Sequence, residues 1–108
     1  MPQKIISLKN QKEFDAVNRA GKKFVGKFMI VVIAHDDTTT THLGLKVGRK
    51  FGNAVVRNKF KRRIRAIIYD FSKSQQGHSF IVIPKSYAAT ADYQALQKDF
   101  NKIYAQTK

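Results

Sequence analysis

The sequence has no cysteine and no tryptophan, and it contains only two prolines and seven acidic residues. The absence of cysteine excludes disulfides and thiolate metal sites. The longest apolar stretch, Phe28 to Ala34, is far too short to span a bilayer. The N-terminal segment also lacks the apolar region and cleavage site of a secretory signal. We therefore expect a cytoplasmic protein with no membrane partner.

The scarcity of acidic residues leaves a large excess of positive charge. Twenty-one lysines and arginines give a net charge of +14 and a pI near 10.3. Such self-repulsion destabilises a small compact protein and is relieved by a polyanion, so nucleic acid is the expected partner. With 108 residues, 43% of them hydrophobic, the chain is long enough for one domain with a modest core, over residues 1–108.

Periodicity and turn residues predict alternating helices and strands. Asn10 and Glu13 have capping-box spacing, and Gly21 is well placed to end the helix that they start. The order is α-β-β-α-β-α, with an additional strand in the region before Gly44. The predicted ranges are a helix over 10–20, strands over 24–34, 43–47 and 80–83, a helix over 53–72 and a last helix from 93 to 104.

The central predicted helix has two different sides. With Asn53 as its N-cap, six apolar residues fall within an arc of about 120° at 100° per residue. Five polar or basic residues fall within a neighbouring arc of about 140°. The first arc would pack on the sheet: Val56, Phe60, Ile64, Ile67, Ile68 and Phe71. The second, which we call the cationic arc, consists of Arg57, Asn58, Lys61, Arg62 and Arg65.

The cations of this helix repel one another. Nine basic residues lie between Lys46 and Arg65, and no acidic residue occurs from Leu43 to Tyr69. Like charges four residues apart, such as Arg57 and Lys61, cost roughly 0.2–0.5 kcal/mol each, and cations near a helix N-terminus oppose its dipole. A phosphate backbone offsets both costs. We therefore predict polyanion binding by Lys46, Arg49, Lys50, Arg57, Asn58, Lys59, Lys61, Arg62 and Arg65.

The sequence shows no catalytic site of its own. The seven acidic residues are scattered, and the adjacent Asp36 and Asp37 lie in a polar loop that would not hold them at a fixed separation. His35 and His42 flank that loop, but a metal site would need a third ligand. The spacing of Gly44, Gly48 and Gly52 fits neither a Walker nor a Rossmann loop. We expect no metal site and no catalytic residue.

One segment resembles a known family. Residues 43–68, LGLKVGRKFGNAVVRNKFKRRIRAII, are similar to the signature of the bacterial ribonuclease P protein: a strand, a basic turn and an Arg-Asn-Arg-type helix. The turn is matched by Gly52, Asn53, Ala54 and Val55. The helix is matched by the five residues of the cationic arc. Lys59 stands where the family usually has arginine, and weaker similarity extends over nearly the whole chain.

The resemblance implies a fold and a function. The fold is a single-domain α+β two-layer sandwich with a left-handed βαβ crossover, whereas right-handed crossovers are the general rule. The function is that of an accessory subunit of ribonuclease P, which removes the 5′ leader from precursor tRNA. The partners are the catalytic RNA and the precursor tRNA, and Mg²⁺ is held by RNA and substrate. The single-stranded leader would lie between the first helix and the sheet, with Phe14 and Phe28 as contacts. Asn18 and Val32 stand where relatives often have aromatic residues.

Two other functions share the charge and size of this chain. A ribosomal protein or RNA chaperone would bind RNA without leader-dependent stimulation of tRNA processing. A DNA-binding regulator would place the basic helix in a major groove. The phosphate-type cations extend over more than two turns, however, without the short base-reading cluster of a helix-turn-helix, so no DNA partner is expected.

Overall fold

The computed structural model describes residues 5–35, 40–73 and 77–107. The predicted helices are confirmed, and each begins after a side-chain cap: Asn10 accepts from the N–H of Glu13, Asn53 from that of Val56 and Asp92 from that of Ala95. The helices are α1 (Gln11–Ala20), α2 (Ala54–Ser72) and α3 (Tyr93–Ala105). The strands are β1 (Ile5–Ser7), β2 (Lys22–Val25), β3 (Met29–His35), β4 (Thr41–Leu45) and β5 (His78–Pro84).

The five strands form one mixed sheet in the order β1-β4-β5-β3-β2. The pairs β1–β4 and β4–β5 are parallel, and β3 runs antiparallel to both β5 and β2. Because β4 and β5 are parallel neighbours, α2 is the crossover helix between them. The expected single-domain α+β fold, with a mixed sheet and three helices, is therefore confirmed. The left hand of the crossover stays a prediction.

The prediction of a single strand over 24–34 is wrong. The chain turns at Gly26, Lys27 and Phe28, so that two antiparallel strands form, with Val25 paired to Ile30. Gly26 and Lys27 interrupt an otherwise apolar segment, and the prediction of one continuous strand passed over this local turn signal. The additional strand expected before Gly44 is present, and β1 adds a further short strand that was not predicted. The proposed polar loop lies partly outside the described residues, because it includes 36–39, and the turn after α2 includes 74–76.

Both faces of the sheet are apolar, and helices cover them unequally. Alternate residues of β3 and β5 point to opposite faces. One face packs against α2 and α3 around a cluster that includes Phe60, Phe80 and Phe100. The other face holds a smaller cluster beneath α1, formed by Val17, Val32, Ala34 and Ile81. The α1 helix therefore adds a partial third layer to the expected sandwich of sheet and helices, and the rest of that face stays uncovered.

Close packing of α1 on the sheet depends on Gly44. A Cβ atom at this position would lie 2.5 Å from Cε1 of Phe14 and 2.8 Å from Cδ1 of Leu8. The absence of a side chain lets the phenyl ring of Phe14 lie against the backbone of β4. No helix in the described ranges is long and apolar enough to cross a bilayer.

A buried carboxylate fixes the turn between β2 and β3. Asp99 on α3 is only 6% exposed, and its two oxygens accept from the backbone N–H groups of Lys27 (2.8 Å) and Phe28 (2.9 Å). These bonds satisfy both donors of the turn and connect it to the last helix. Hydrogen bonds to a charged group are worth about 1.5–3 kcal/mol each.

Replacement of this carboxylate should destabilise the fold. We expect Asp99→Ala to lower the free energy of unfolding by about 2–4 kcal/mol, because two backbone donors would be left unpaired. Urea denaturation followed by circular dichroism measures the change. The control is Asp15→Ala, whose exposed side chain bonds only Gln11 and whose loss should cost less than about 0.5 kcal/mol. Equal midpoints for the two variants would contradict this account of Asp99.

Candidate nucleic-acid interface

The cationic arc is centred on the side of α2 away from Arg63, and at its edge Arg62 lines a shallow groove with Tyr93, the first residue of α3. The neighbouring Arg63 marks the opposite side, since its Nη1 donates to the carbonyl oxygen of Ala91 at 2.7 Å. Within the arc, Asn58, Arg62 and Arg65 are exposed, whereas Arg57 and Lys61 are half-buried where the arc meets the core. The structure therefore brings the five predicted residues of the arc together on one surface.

The cations of the arc are not neutralised within the described part of the chain. None of them forms an ion pair with a described acidic residue, and the pair that does form, Lys73 with Asp70 at 3.7 Å, lies at the end of α2. The Nε atom of Arg57 is buried and has no hydrogen-bond acceptor among the described residues.

The other predicted basic residues lie outside the arc. Arg49 and Lys50 are exposed in a 3₁₀ turn, Arg49–Phe51, whose Phe51 ring packs on Phe60 with centroids 5.0 Å apart. Lys59 is exposed but lies outside the arc, beside Arg63 in a shallow groove next to α3. Helical spacing already separates Lys59 from the arc, which the prediction of one RNA-binding set did not take into account.

Lys46 lies elsewhere, on the sheet face that α1 partly covers. It follows β4 directly, and its Nζ is 5.5 Å from the ring centroid of Phe14. Its backbone N–H donates to the carbonyl oxygen of Val82, so the register of β4 and β5 continues and places Lys46 beside Ile83. Lys46 and Phe14 therefore form a cation and an aromatic surface at the edge of the α1 helix.

A row of apolar side chains extends from Lys46 across this uncovered face. Ile83 is paired with Ile30, and Ile30 with Val25, so that the three lie side by side on adjacent strands. Ile83 and Ile30 are half-buried and Val25 is 57% exposed. We call these three residues the apolar row. Sequence reasoning did not identify the row, because its members belong to three strands whose register the sequence does not show.

Phe14 and Phe28 are not brought together. Phe14 packs with the cluster beneath α1, whereas Phe28 packs against the cluster on the opposite face of the sheet. Phe28 belongs to the turn after β2 and contacts the ring of Tyr87, with centroids 5.9 Å apart. A surface between α1 and the sheet therefore includes Phe14 but not Phe28, and the predicted pairing of the two rings in one cleft is corrected.

The three histidines form no metal centre with other described residues. His35 pairs with His78 across β3 and β5, with ring centroids 4.8 Å apart, and His78 lies 3.3 Å from the hydroxyl of Tyr104. His42 is paired with Ser79 and points to the other face. In residues 5–35, 40–73 and 77–107, no three histidine or acidic side chains are close enough to hold a metal ion.

Comparisons with known proteins agree with the sequence and the fold. The family model described as Ribonuclease P matches residues 1–108. The ribonuclease P protein component of Rickettsia akari is 40% identical over 111 residues, covering 92% of this chain and 94% of the relative. That of Rickettsia bellii is 40% identical over 108 residues, covering 91% and 90%.

Solved structures show the same fold. The RNase P protein of Staphylococcus aureus superposes with a TM-score of 0.84 over 97% of each chain, at 24% identity. That of Thermotoga maritima superposes with a TM-score of 0.76 at 25% identity, covering 92% of this chain and 96% of the other. Since the family model spans the whole chain and relatives at 40% identity cover nine-tenths of it, the protein belongs to the ribonuclease P family, as a protein component of the bacterial type.

Proposed function

We propose that this chain is the accessory subunit of a ribonuclease P, in which it binds the catalytic RNA through the cationic arc and the 5′ leader of precursor tRNA on the α1 side of the sheet. The observation that carries the proposal is the cationic arc, which has no neutralising partner among the described residues. A phosphate backbone supplies the missing negative charge, and guanidinium groups bind two phosphate oxygens at once. Arg57 and Arg62 are the phosphate clamps of this proposal, and Asn58 contacts a base or sugar edge.

The leader surface combines positive charge with an apolar floor. Proteins that bind single-stranded nucleic acids pair a cationic groove with aromatic or apolar side chains on which bases rest. Lys46 and Phe14 provide this combination at the edge of α1, and the apolar row continues it. Asn18 is exposed and Val32 is buried beneath α1, so Phe14 is the aromatic contact of this surface, and Ile83, Ile30 and Val25 contribute apolar contacts.

The proposal assigns the chemical step to the RNA. Mg²⁺ held by the catalytic RNA and the substrate would activate the attacking water. The described side chains offer no cluster of three metal ligands, so the proposal gives this chain no metal site. Its part is to screen the repulsion between the phosphates of two RNAs and to extend the recognised substrate upstream of the cut.

Reconstitution tests the proposal directly. A bacterial ribonuclease P RNA is given 5′-extended precursor tRNA at low Mg²⁺, with and without this protein. We expect strong stimulation that shrinks when the leader is shortened to one or two nucleotides and that high Mg²⁺ partly replaces. Tight RNA binding without stimulation at any Mg²⁺ concentration would instead identify a general RNA-binding protein.

Two adjacent arginines, about 100° apart around α2, provide a matched test of the cationic arc. Arg62→Ala should weaken binding to the catalytic RNA and lower the slope of log K against log salt by about 0.7–0.9, the value for one lost phosphate contact. Arg63→Ala removes the same charge from the side that bonds Ala91. It should leave the slope close to that of the unmodified protein while lowering thermal stability. Equal slopes for the two variants would contradict the assignment of the arc.

Two half-buried phenylalanines on opposite faces test the leader surface. Phe14→Leu keeps an apolar side chain but removes the ring, and we expect it to reduce the affinity gained from the leader about fivefold, since a stacked base is worth at least about 1 kcal/mol. Phe24→Leu makes the same change on the α2–α3 face and should not alter that gain. The gain is measured as the ratio of precursor tRNA affinities with long and short leaders. A loss common to both variants would assign the effect to stability.

A further inference from the structure

We infer that the turn between β2 and β3, together with Tyr87, forms a second stacking site for an unpaired nucleotide of the leader, beyond the surface at Phe14. This inference rests on the proposed function, because the leader is its ligand. The site consists of the partly exposed rings of Phe28 and Tyr87, the ammonium group of Lys27 over the Phe28 ring, and Lys98 and Lys102 in the adjoining groove. It lies on the opposite side of the apolar row from Phe14 and Lys46.

The backbone of this turn is fully engaged. The N–H groups of Lys27 and Phe28 donate to the two carboxylate oxygens of Asp99. The carbonyl oxygen of Lys27 accepts from the hydroxyl of Tyr87, and that of Phe28 accepts from the backbone N–H of Lys85 at 2.9 Å. Four backbone groups of two residues are thus bonded by three other residues, and the turn is held rigid before any ligand binds. A preorganised site loses less entropy on binding.

Two aromatic rings lie on this rigid turn. Tyr87 is 51% exposed although its hydroxyl is bonded, and its ring meets that of Phe28 edge to face at an interplanar angle of 64°. Tyr87 belongs to the 3₁₀ helix Ser86–Thr90, and its carbonyl oxygen accepts from Oγ1 of Thr90 at 2.9 Å. The bonded hydroxyl fixes the ring while a large part of its surface stays in contact with solvent. An exposed ring of fixed orientation suits the stacking of a base.

The charge around the two rings is positive. The Nζ of Lys27 lies 5.3 Å from the ring centroid of Phe28, and Lys98 and Lys102 line the same groove between the turn and α3. The acidic residue of the groove is Asp99, and its carboxylate points inward to the turn. Cations beside exposed aromatic rings are the combination that single-stranded RNA requires, whereas a basic partner would be repelled.

The position of the turn selects the leader as the occupant. The apolar row begins next to Lys46 and ends at Val25, and the turn follows Val25 directly in the chain. The four adjacent strands place Lys46 and Val25 about 14 Å apart, at 4.8 Å per strand spacing. Phe28 packs on the opposite face of the sheet from Phe14, so a single strand that follows the row past Val25 reaches the Lys27–Tyr87 site by passing around the β2 edge of the sheet. The cationic arc, in contrast, belongs to α2, and none of its residues lines the groove at this turn.

Affinity measurements with the reconstituted holoenzyme test the inference. The substrates are precursor tRNAs whose leaders are lengthened one nucleotide at a time. We expect a step in affinity at one added nucleotide, of between about fivefold and about a hundredfold. Tyr87→Ala should abolish the step and keep the affinity for the shortest leader. Tyr87→Phe keeps the ring but loses the bond to Lys27, and it should keep most of the affinity step. As a control, Tyr69→Ala removes a tyrosine that is 41% exposed and has Lys73 over its ring, and it should leave the step unchanged.

The other outcomes separate this inference from the proposed function. A step that survives in Tyr87→Ala would overturn the inference and leave the proposed function intact. No gain with leader length in the unmodified protein would overturn the proposed function itself. If Tyr87→Ala lowered the affinity equally for all leader lengths, the catalytic RNA would be the occupant and the inference would be overturned. If Tyr87→Phe and Tyr87→Ala reduced the step equally, the effect would be due to the hydroxyl bond, and stacking on the ring would be overturned.

Photocrosslinking of the unmodified protein keeps the test independent of the variants' folding. A 5-iodouridine is moved along the leader of the bound precursor, and crosslinked peptides are identified by mass spectrometry. Crosslinks to Phe28 or Tyr87 at the leader position of the affinity step support the site. Crosslinks confined to the Phe14 surface at every position would overturn it.

Discussion

The packing of one side of α2 on the sheet is the interaction on which the rest of the structure depends. The same helix has to hold mutually repelling cations on its outer side, at an unfavourable cost of a few tenths of a kcal/mol for each like-charged pair. Phe60, Ile64 and Ile68 are each no more than 3% exposed, and burial of side chains of this size contributes about 1.5–3 kcal/mol each. The apolar contacts therefore exceed the repulsion, and the arc keeps its shape without a neutralising partner.

The fold also leaves one sheet face open to a ligand. In a sheet with two apolar faces, the uncovered part of one face is usually a liability or a binding surface. Here α1 reaches only as far as Gly44 and Ile81, and the next row of side chains, from Lys46 to Val25, is left half-exposed. Because α1 is short and Gly44 lets it lie close to the strands, Phe14 packs against the sheet while the apolar row beside it stays half-exposed.

The helices could be predicted well because helix caps and helical spacing depend only on residues that are close together in the chain. Asn10, Asn53 and Asp92 cap the helices that follow them, and the apolar and cationic sides of α2 follow from spacing alone. The arc could thus be predicted residue by residue. Arg63 was left out of the predicted set, and its bond to Ala91 is consistent with that omission.

Features that depend on strand register could not be predicted in the same way. The turn at Gly26 and Lys27 lies within an otherwise apolar segment, and periodicity alone does not show that the chain reverses direction there. The separation of Phe14 from Phe28 follows from that turn, since one added break places the second ring on the other face. The apolar row and the bonds of Asp99 join residues that are distant in the chain, such as Lys27 and Asp99, and no periodicity contains that information.

The acidic residues in the described ranges are used in structural contacts. Glu13 lies in the capping turn of α1, and Asp92 caps α3. Asp15 accepts from Gln11, Asp70 pairs with Lys73, and Asp99 holds the turn. Each of the five acidic residues in the described ranges is thus placed at a structural contact. None of these contacts is with the cationic arc, so the arc keeps its positive charge within the described part of the chain.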